Sequence, residues 1–233
     1  MLDSYLQEGG ICLSDEVIQL LNRHLDYVLE VNKSIRLTAI HDRSEGERLH
    51  IVDSLMVLPE VLDAPEGKML DIGTGGGYPG FPLALAANRS VDLLDSVQKK
   101  AKVIDNFLQE NYTDELSIKT IGLRAEELAL EQPESYAVVL ARAVSSLPAL
   151  VELSSPLLEI GGRLIAHKGP LDSEELARAN SAASIVGMEF SSEREYVLPG
   201  GDERRTVYVF EKLSQPEIDL PRRSGRAQRK PLA

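Results

Sequence analysis

The sequence predicts an α/β fold with a doubly wound, mostly parallel sheet and an antiparallel edge strand, preceded by a small N-terminal helical region. From residue 68 onward, short apolar runs typical of buried strands alternate with longer stretches of helical spacing, which indicates parallel βαβ units. The last two strand candidates are joined only by the loop LPGGDE, which predicts a hairpin at the sheet edge. Before residue 64 the apolar residues follow helical spacing alone.

Two amphipathic helices are predicted before the sheet begins. The first covers residues 14–31, and Ser14 suits its N-cap because a hydroxyl can accept from an unpaired backbone amide. The second covers residues 45–62, and the segment NKSIRLTAIHD connects the two. Their apolar faces consist of Val17, Leu20, Leu21, Leu25 and Val28 in the first helix and of Leu49, Val52, Leu55 and Met56 in the second.

The sheet region contains seven strand candidates with helices between them. Parallel strands are predicted at residues 68–73, 90–96, 116–122, 136–142 and 162–169, and the hairpin at 187–197 and 205–212. Helices are predicted at residues 79–88, 97–111, 124–131, 146–158 and 172–185. We therefore divide the chain into a helical region (1–63), a core (64–213) and a C-terminal tail (214–233).

Charge is unevenly distributed along the chain. The 233 residues carry a formal net charge of −12, which by itself argues against a polyanionic partner. Residues 221–233, however, hold five basic residues and no acidic one. A basic tail on an acidic body fits either a solvated, disordered segment or a contact with nucleic acid.

Composition also bears on the compartment and on metal chemistry. No apolar run reaches the roughly 18 residues of a membrane span, and the N-terminus lacks the features of a secretory signal. The single cysteine, Cys12, cannot form an internal disulfide, and none of the four histidines has zinc-like spacing. We expect a cytoplasmic protein without a membrane or metal partner, and take a monomer as the working expectation.

A glycine-rich loop, Asp71-Ile-Gly73-Thr-Gly75-Gly76-Gly77-Tyr78-Pro79-Gly80, follows the first predicted strand. Its glycines let the backbone turn tightly and approach a ligand closely. Pro79 suits the first turn of the next helix, where its missing N–H costs nothing. Asp95 ends the second strand, where a carboxylate can accept hydrogen bonds from a ribose diol. The arrangement predicts a nucleoside-containing ligand.

Two ligand classes fit this loop. Gly75, Gly77 and Gly80 satisfy the G-x-G-x-x-G pattern of dinucleotide-binding folds. Asp71 lies just before the first glycine, where a carboxylate can face a cationic amino-acid group, and nothing downstream resembles a hydride-transfer acid–base pair. These two features favour S-adenosylmethionine, and hence a class I (Rossmann-like) methyltransferase, while a dinucleotide remains the alternative.

Further motifs lie on both sides of the glycine loop, and their order along the chain is characteristic. LDIGTGGGYPGFPLALA is followed by VDLLDSVQKKAKVIDNFLQE, and the tail reads PRRSGRAQRKPL. Together these segments resemble the RsmG, or GidB, family of small-subunit ribosomal RNA methyltransferases over roughly residues 14–232. The shorter matches are Leu37-Thr38-Ala39-Ile40, His50-x-x-Asp53-Ser54-Leu55, Arg124-Ala125-Glu126, Ala141-Arg142-Ala143-Val144, His167-Lys168-Gly169 and Glu203-Arg204.

The chain departs from the family pattern in the first connector. Val31-Asn32 and Arg36-Leu37-Thr38 stand where the family usually has Trp-Asn and Asn-Leu-Thr, and the chain has no tryptophan. These changes lie in the helical region, away from the glycine loop. They bear on RNA docking more than on the chemistry.

The resemblance implies methyl transfer from S-adenosylmethionine to N7 of a guanosine in 16S ribosomal RNA of the small subunit. Guanine N7 carries a free lone pair, so the reaction needs no general base. The sequence accordingly shows no His–Asp or Cys–His arrangement. What the enzyme must supply is alignment of N7, the methyl carbon and sulfur.

The predicted donor site extends over several strand ends. Asp71 and the loop backbone should hold the methionine end of the donor, and Asp95 should accept from the ribose hydroxyls. The resemblance implies that Ala125 and Glu126 meet the adenine, although a helix-start acid favoured by the helix dipole is the alternative for Glu126. The predicted cofactor-binding residues are Asp71, Gly73, Gly75, Gly77, Tyr78, Asp95, Ser96, Ala125, Glu126 and Arg142.

Arg142 and Lys168 are the predicted catalytic residues. They end the fourth and fifth strands, at the edge where open parallel sheets bind ligands. Arg142 could contact the donor, a phosphate or guanine O6, and a structural ion pair is its alternative role. His50 and Asp53 are expected in a buried hydrogen-bonded cluster. The predicted RNA-binding residues are Lys100, Arg124, Arg204, Arg222 and Arg223.

Three alternatives fit parts of the sequence. A methyltransferase of the same fold acting on a small molecule or a protein would suit the acidic body, although the basic tail opposes it. A nicotinamide-dependent oxidoreductase would suit the glycine pattern. A non-catalytic RNA-binding protein would suit the tail, but it would not need an intact loop with both of its acids.

Overall fold

The computed structural model describes residues 1–112 and 116–233, which form one seven-stranded sheet with helices on both faces. The strands are β1 Met69–Ile72, β2 Val91–Leu94, β3 Ile118–Ile121, β4 Tyr136–Arg142, β5 Leu158–Lys168, β6 Met188–Val197 and β7 Arg204–Lys212. Their order is β3-β2-β1-β4-β5-β7-β6, and β7 runs antiparallel to both β5 and β6. The predicted fold class, including the hairpin at the sheet edge, is confirmed.

Most helices begin and end close to their predicted bounds. Ser14 Oγ accepts from the backbone N–H of Val17 at 3.4 Å and caps the long second helix. Within the described ranges, no helix is long and apolar enough to cross a membrane. The helices are α1 Leu2–Glu8, α2 Asp15–Asn32, α3 Arg43–Gly46, a π-helical segment Glu47–Val52, α4 Asp53–Leu55, α5 Leu58–Asp63, α6 Gly80–Ala87, α7 Gln98–Asn111, α8 Ala125–Glu131, α9 Leu147–Ser154, α10 Ser173–Ile185 and α11 Arg226–Arg229.

Two predicted helices were wrong in extent, both because of proline. The helix expected over residues 45–62 is interrupted after α4, since Pro59 lacks the N–H that would continue it and instead lies in the first turn of α5. The helix expected over residues 146–158 ends at Ser154, before Pro156. The fifth strand therefore begins earlier than predicted, at Leu158. Helices α1 and α11 were not predicted.

The sheet separates two apolar clusters. Along β4, Val138 and Leu140 face the cluster that contains α2, α6 and α7, whereas Val139 and Ala141 face the cluster that contains α8, α9 and α10. This alternation follows from the two-residue period of a strand. Both faces of the sheet are covered by helices. The sheet is therefore open to ligands at the ends of its strands, where the carboxyl ends of the parallel strands meet the loops.

His24 lies in an aromatic cluster directly under the glycine loop. Its ring has no exposed surface and lies 5.0 Å from Tyr78, 4.5 Å from Phe81 and 4.8 Å from Phe107, between centroids. Burial, with a smaller contribution from His50, lowers the pKa of His24 to about 3. The ring is therefore neutral in the folded protein throughout the range in which an unfolded histidine takes up a proton.

We predict that His24→Phe makes stability less sensitive to acid. The folded-state pKa of His24 is about 3, against 6.5 for the free group. As pH falls from 6.5 towards 3, the unfolded state gains a proton that the native state does not. Stability then falls by up to about 1.4 kcal/mol per pH unit for this group. The free energy of unfolding, measured in urea at pH values between 7 and 4, should fall less steeply with decreasing pH in the variant, by up to this amount per pH unit.

Leu25→Val serves as the matched control. It removes a methylene from the same buried helix face without removing a titrating group, so it should lower stability equally at every pH. If the free energy of unfolding depends on pH identically in His24→Phe and wild type, His24 is protonated in the folded protein.

Candidate active site

The loop after β1 holds conformations that favour glycine. Gly73 has φ of 73°, and a Cβ there would lie 2.6 Å from Cγ2 of Val144. Gly77 has φ of 93°, and a Cβ there would lie 2.9 Å from the ring of His24. Both the positive φ and the lack of space exclude larger residues. The loop thus packs closely against Val144 at Gly73 and against the buried ring of His24 at Gly77.

Two carboxylates are bonded to this loop. Asp71 is fully buried, and its Oδ2 accepts from the N–H of Gly80 at the start of α6, at 2.8 Å. Burial raises the pKa of Asp71 to about 7, although the hydrogen bond from Gly80 acts in the opposite direction. Asp95 accepts from the N–H of Gly75 at 3.1 Å and from that of Val97 at 2.8 Å. Asp71 therefore shapes the loop from the interior, while Asp95 joins the loop to the end of β2.

A small cavity of about 70 Å³ lies beyond β1 and β2, at the start of α8. It brings together several predicted cofactor residues that are far apart in the chain. Glu126 is 5% exposed, and its Oε1 accepts from the backbone N–H of Gly225 at 2.6 Å. The small cavity is lined by, among others, Gly73, Ser96, Ala125, Glu126, Val144 and Gln228.

A large, open cavity of about 690 Å³ lies beyond β4 and β5. Both predicted catalytic residues line it, and Val144 lines it as well as the small cavity, so the two cavities adjoin at this side chain. Its ionisable lining residues are His50, Asp53, Arg142, His167, Lys168 and Arg205. Arg205 was not among the predicted site residues.

Asp53 is the centre of a buried charged cluster in the large cavity. Its Oδ2 lies 3.2 Å from Nη1 of Arg142, and its Oδ1 lies 3.2 Å from Nε of Arg205 and 3.4 Å from Nε2 of His167. Although burial opposes it, the hydrogen bond from His167 and the charges of the two arginines lower the pKa of Asp53 to about 2. Arg142 also donates to the carbonyl of Leu49 at 2.8 Å.

His50 connects Arg142 to the glycine loop. Its Nε2 lies 2.9 Å from Oγ1 of Thr38, its Nδ1 lies 3.4 Å from Nη2 of Arg142, and its ring stacks on Tyr78 with centroids 4.6 Å apart. Burial and the charge of Arg142 lower the pKa of His50 to about 3. The ring is therefore neutral at pH 7, and its Nδ1 can accept from Arg142. This is the hydrogen-bonded cluster expected for His50 and Asp53.

The three cations of the large cavity are partly compensated by two carboxylates. Arg142 and Arg205 share Asp53, and Nζ of Lys168 donates to Glu175 at 2.8 Å and to the carbonyl of Ser145 at 3.0 Å. Arg142 thus forms the structural ion pair raised as its alternative role, and it also lines the large cavity.

None of the predicted RNA-binding residues lines the large cavity. Arg124, Arg204 and Arg223 are exposed, and Lys100 is half-buried near the start of α7. Arg222 forms two hydrogen bonds to the buried carboxylate of Glu152. In β7, Arg204 and Arg205 point to opposite faces, as neighbours in a strand do. The pattern predicts this alternation but not that Arg205 is the one facing the cavity.

A third cavity, of about 710 Å³, lies near the amino ends of β1 and β2. Its arginine, Arg89, donates to the carbonyls of Val61, Pro65 and Gly67. Because ligands of open parallel sheets bind at the carboxyl ends of the strands, this cavity is not the candidate site. Among residues 1–112 and 116–233, no group of three or more His, Cys, Asp or Glu residues could hold a metal ion.

The parallel sheet, the glycine loop and the strand-end acid define a class I, Rossmann-like methyltransferase. Solved structures with this fold include M. jannaschii TYW2 in complex with AdoMet, at TM-score 0.53 and 13% identity over 69% of this chain and 77% of that one. A SAM-dependent methyltransferase from Methanosarcina mazei has TM-score 0.53 and 14% identity, covering 67% of this chain and 98% of that one. At these identities the similarity shows the fold alone.

The family follows from sequence comparison. Residues 17–199 match the profile of the GidB family, described as rRNA small subunit methyltransferase G. The proteins of that name from Alkaliphilus metalliredigens and Carboxydothermus hydrogenoformans are 34% and 35% identical to this chain, covering 97% and 99% of it and 95% and 98% of their own lengths. The chain belongs to this family, so the resemblance and the methyltransferase class are confirmed.

We predict that Asp53→Asn destabilises the protein and slows methyl transfer without weakening donor binding. The amide keeps the size of the carboxylate but loses the charge that pairs with Arg142 and Arg205, which should cost about 2 kcal/mol of unfolding free energy at pH 7. The pKa of Asp53 is lowered to about 2, so its stabilising effect is present above pH 4 and is lost as pH falls through 2. Urea unfolding and steady-state kinetics measure both effects.

Asp63→Asn is the matched control. Asp63 also pairs with an arginine, Arg163, but its side chain is 80% exposed and outside both cavities. Its loss should change stability by less than about 0.5 kcal/mol and leave kcat unchanged. Equal effects of the two substitutions would contradict a special role for Asp53.

Proposed function

We propose that the chain transfers the methyl group of S-adenosylmethionine to N7 of a guanosine in 16S ribosomal RNA of the small subunit. The observation that carries the proposal is that two cavities adjoin at Val144, one behind the glycine loop and one lined by cations that pair with carboxylates. The name of the relatives, rRNA small subunit methyltransferase G, supports small-subunit rRNA as the substrate.

The donor would lie along the loop and in the small cavity. Its adenine would contact Ala125 and Glu126, and its ribose would lie near Asp95. Its methionine end would lie along the glycine backbone from Gly73 to Gly77. A backbone N–H and a carboxylate are suitable partners for the ring nitrogen and the exocyclic amine of adenine. Bound S-adenosylmethionine supplies the methyl group, which is activated because it is bonded to a sulfonium sulfur.

The target guanine would enter the large cavity. Its N7 lone pair forms the new bond to the methyl carbon, and the carbon–sulfur bond breaks with its electron pair remaining on sulfur. Arg142, which lines this cavity, would donate to guanine O6 and leave the N7 lone pair free. No proton has to be removed, so the residues of the cavity need only orient the base.

The pairing of cations with carboxylates in the large cavity suits this reaction. The guanine becomes cationic as it accepts the methyl group, so an excess of positive charge beside it would raise the barrier. Burial and the charge of Arg142 keep His50 neutral at pH 7 through its lowered pKa. Arg142 and Arg205 share Asp53, and Lys168 pairs with Glu175, so two carboxylates compensate most of the charge of three cations.

We predict that the protein methylates unmodified small subunits at guanine N7. Tritiated S-adenosylmethionine should label the RNA, and borohydride reduction followed by aniline should cleave it at the labelled nucleotide, which is specific for N7-methylguanosine. Arg142→Gln should reduce the rate at least a hundredfold, since a group that positions the base is lost. Arg163→Gln, an arginine outside both cavities, should retain wild-type activity.

Three other results would be decisive against parts of this proposal. Labelled RNA that aniline does not cleave would exclude N7. Donor binding without any labelling of subunits or free RNA would favour a small-molecule or protein substrate. Stabilisation by NAD but not by S-adenosylhomocysteine would exclude the proposed donor altogether.

We predict that the exposed arginines of the tail contribute to RNA binding through phosphates. Replacing Arg223, Arg226 and Arg229 together with glutamine should flatten the plot of log affinity against log salt concentration by about two units, at roughly 0.7 per contact with single-stranded RNA. Fluorescence anisotropy with a small-subunit RNA fragment measures this slope.

The matched control replaces three exposed lysines outside the tail, Lys33, Lys102 and Lys119, with glutamine. This variant has the same net charge as the arginine variant. If both variants flatten the plot equally, the tail acts only through the overall charge of the protein.

A further inference from the structure

The C-terminal tail is docked on the core of the protein. Nε and Nη2 of Arg222 donate to the two carboxylate oxygens of Glu152 on α9, at 2.6 and 2.5 Å. Ala227, in α11, is 2% exposed and belongs to the apolar cluster beneath α9. Arg178 on α10 donates to the backbone carbonyl of Ala233 at 2.8 Å. These contacts anchor both ends of the tail and its middle.

The docked tail reaches the small cavity at two points. The backbone N–H of Gly225 donates to Oε1 of Glu126, and Gln228 lines the cavity beside Ala125. These contacts join residues about a hundred positions apart in the chain. The tail thus supplies a wall of the site proposed for the donor nucleoside, although its sequence suggested either a solvated, disordered segment or a contact with nucleic acid.

This arrangement leaves too little room for a nucleoside. The small cavity measures about 70 Å³, whereas ligand pockets usually measure about 300 Å³ or more. The carboxylate of Glu126, proposed as the acceptor for the adenine amine, is already engaged by Gly225. With the tail in this position, the small cavity is therefore too small to hold an adenosine group.

We propose that residues 221–230 form a lid on the nucleoside end of the donor site, which must lift before the donor enters. The inner face of the lid is the amide of Gly225 and the side chain of Gln228. The Arg222–Glu152 pair is its latch: Glu152 is 3% exposed, and a buried carboxylate is costly without its partner. The lid rests on the proposed function, because that function defines the donor site.

Association of tritiated S-adenosylmethionine, followed by rapid filtration, tests the lid. Glu152→Gln removes the charge that holds Arg222, so association should be at least fivefold faster than in wild type. Deleting residues 220–233 should accelerate it at least as much. Hydrogen–deuterium exchange of residues 221–230 reports whether the tail has opened, and thermal unfolding reports whether the core of each variant is intact.

Glu60→Gln is the matched control. Glu60 forms an equivalent two-point pair with Arg194, but it lies on α5 and lines neither the small nor the large cavity. Its association rate should equal that of wild type. An accelerated rate in this variant would show that loss of any such pair loosens the protein, and would overturn the latch.

The remaining outcomes separate the lid from the proposed function. If exchange in the tail rises while the association rate stays at the wild-type value, the tail is not a lid, although the donor assignment stands. If exchange in the tail is unchanged in Glu152→Gln, that pair is not the latch, and the deletion decides whether there is a lid. If wild type and every variant fail to bind the donor, both the lid and the proposed function are wrong.

Discussion

One buried carboxylate, that of Asp53, joins the N-terminal helices to the edge of the sheet. Its partners come from four neighbouring strands: Arg142 from β4, His167 from β5, Arg205 from β7 and the hydroxyl of Tyr196 from β6. A buried charge without its partners costs several kcal/mol, so helix α4 and these strands are held in one relative position. The floor of the large cavity depends on that arrangement.

The same constraint determines the charge of the site. Around the large cavity, two carboxylates compensate most of the charge of three cations. Burial lowers the pKa of His167, and burial together with the charge of Arg142 lowers that of His50 to about 3, so the ring of His50 is neutral. A reaction that creates positive charge on its product suits such surroundings better than a strongly cationic cavity would. The glycine loop packs against this cluster through Tyr78, which stacks on His50. The glycine loop and the cluster that lines the large cavity are therefore in direct contact.

The tail combines two kinds of side chain in one short segment. Arg222 and Ala227 face the core, whereas Arg223, Arg226 and Arg229 are exposed. A composition-based interpretation treats all the basic residues of the tail alike, because composition does not say which side chain meets a carboxylate. The difference between them arises from Glu152, whose position on the buried side of α9 selects Arg222 as its partner.

Local patterns in the sequence determined the fold class, the strand positions and the glycine loop with its two acids, since periodicity and short spacings are properties of neighbouring residues. Pro59 and Pro156 are local signals of the same kind, but the predicted helices ran past both. Only the tertiary structure decided that Arg205 faces the cavity and that Gly225 returns to Glu126. Those contacts join residues far apart in the chain, and packing of the sheet against its helices, which no local pattern records, brings them together.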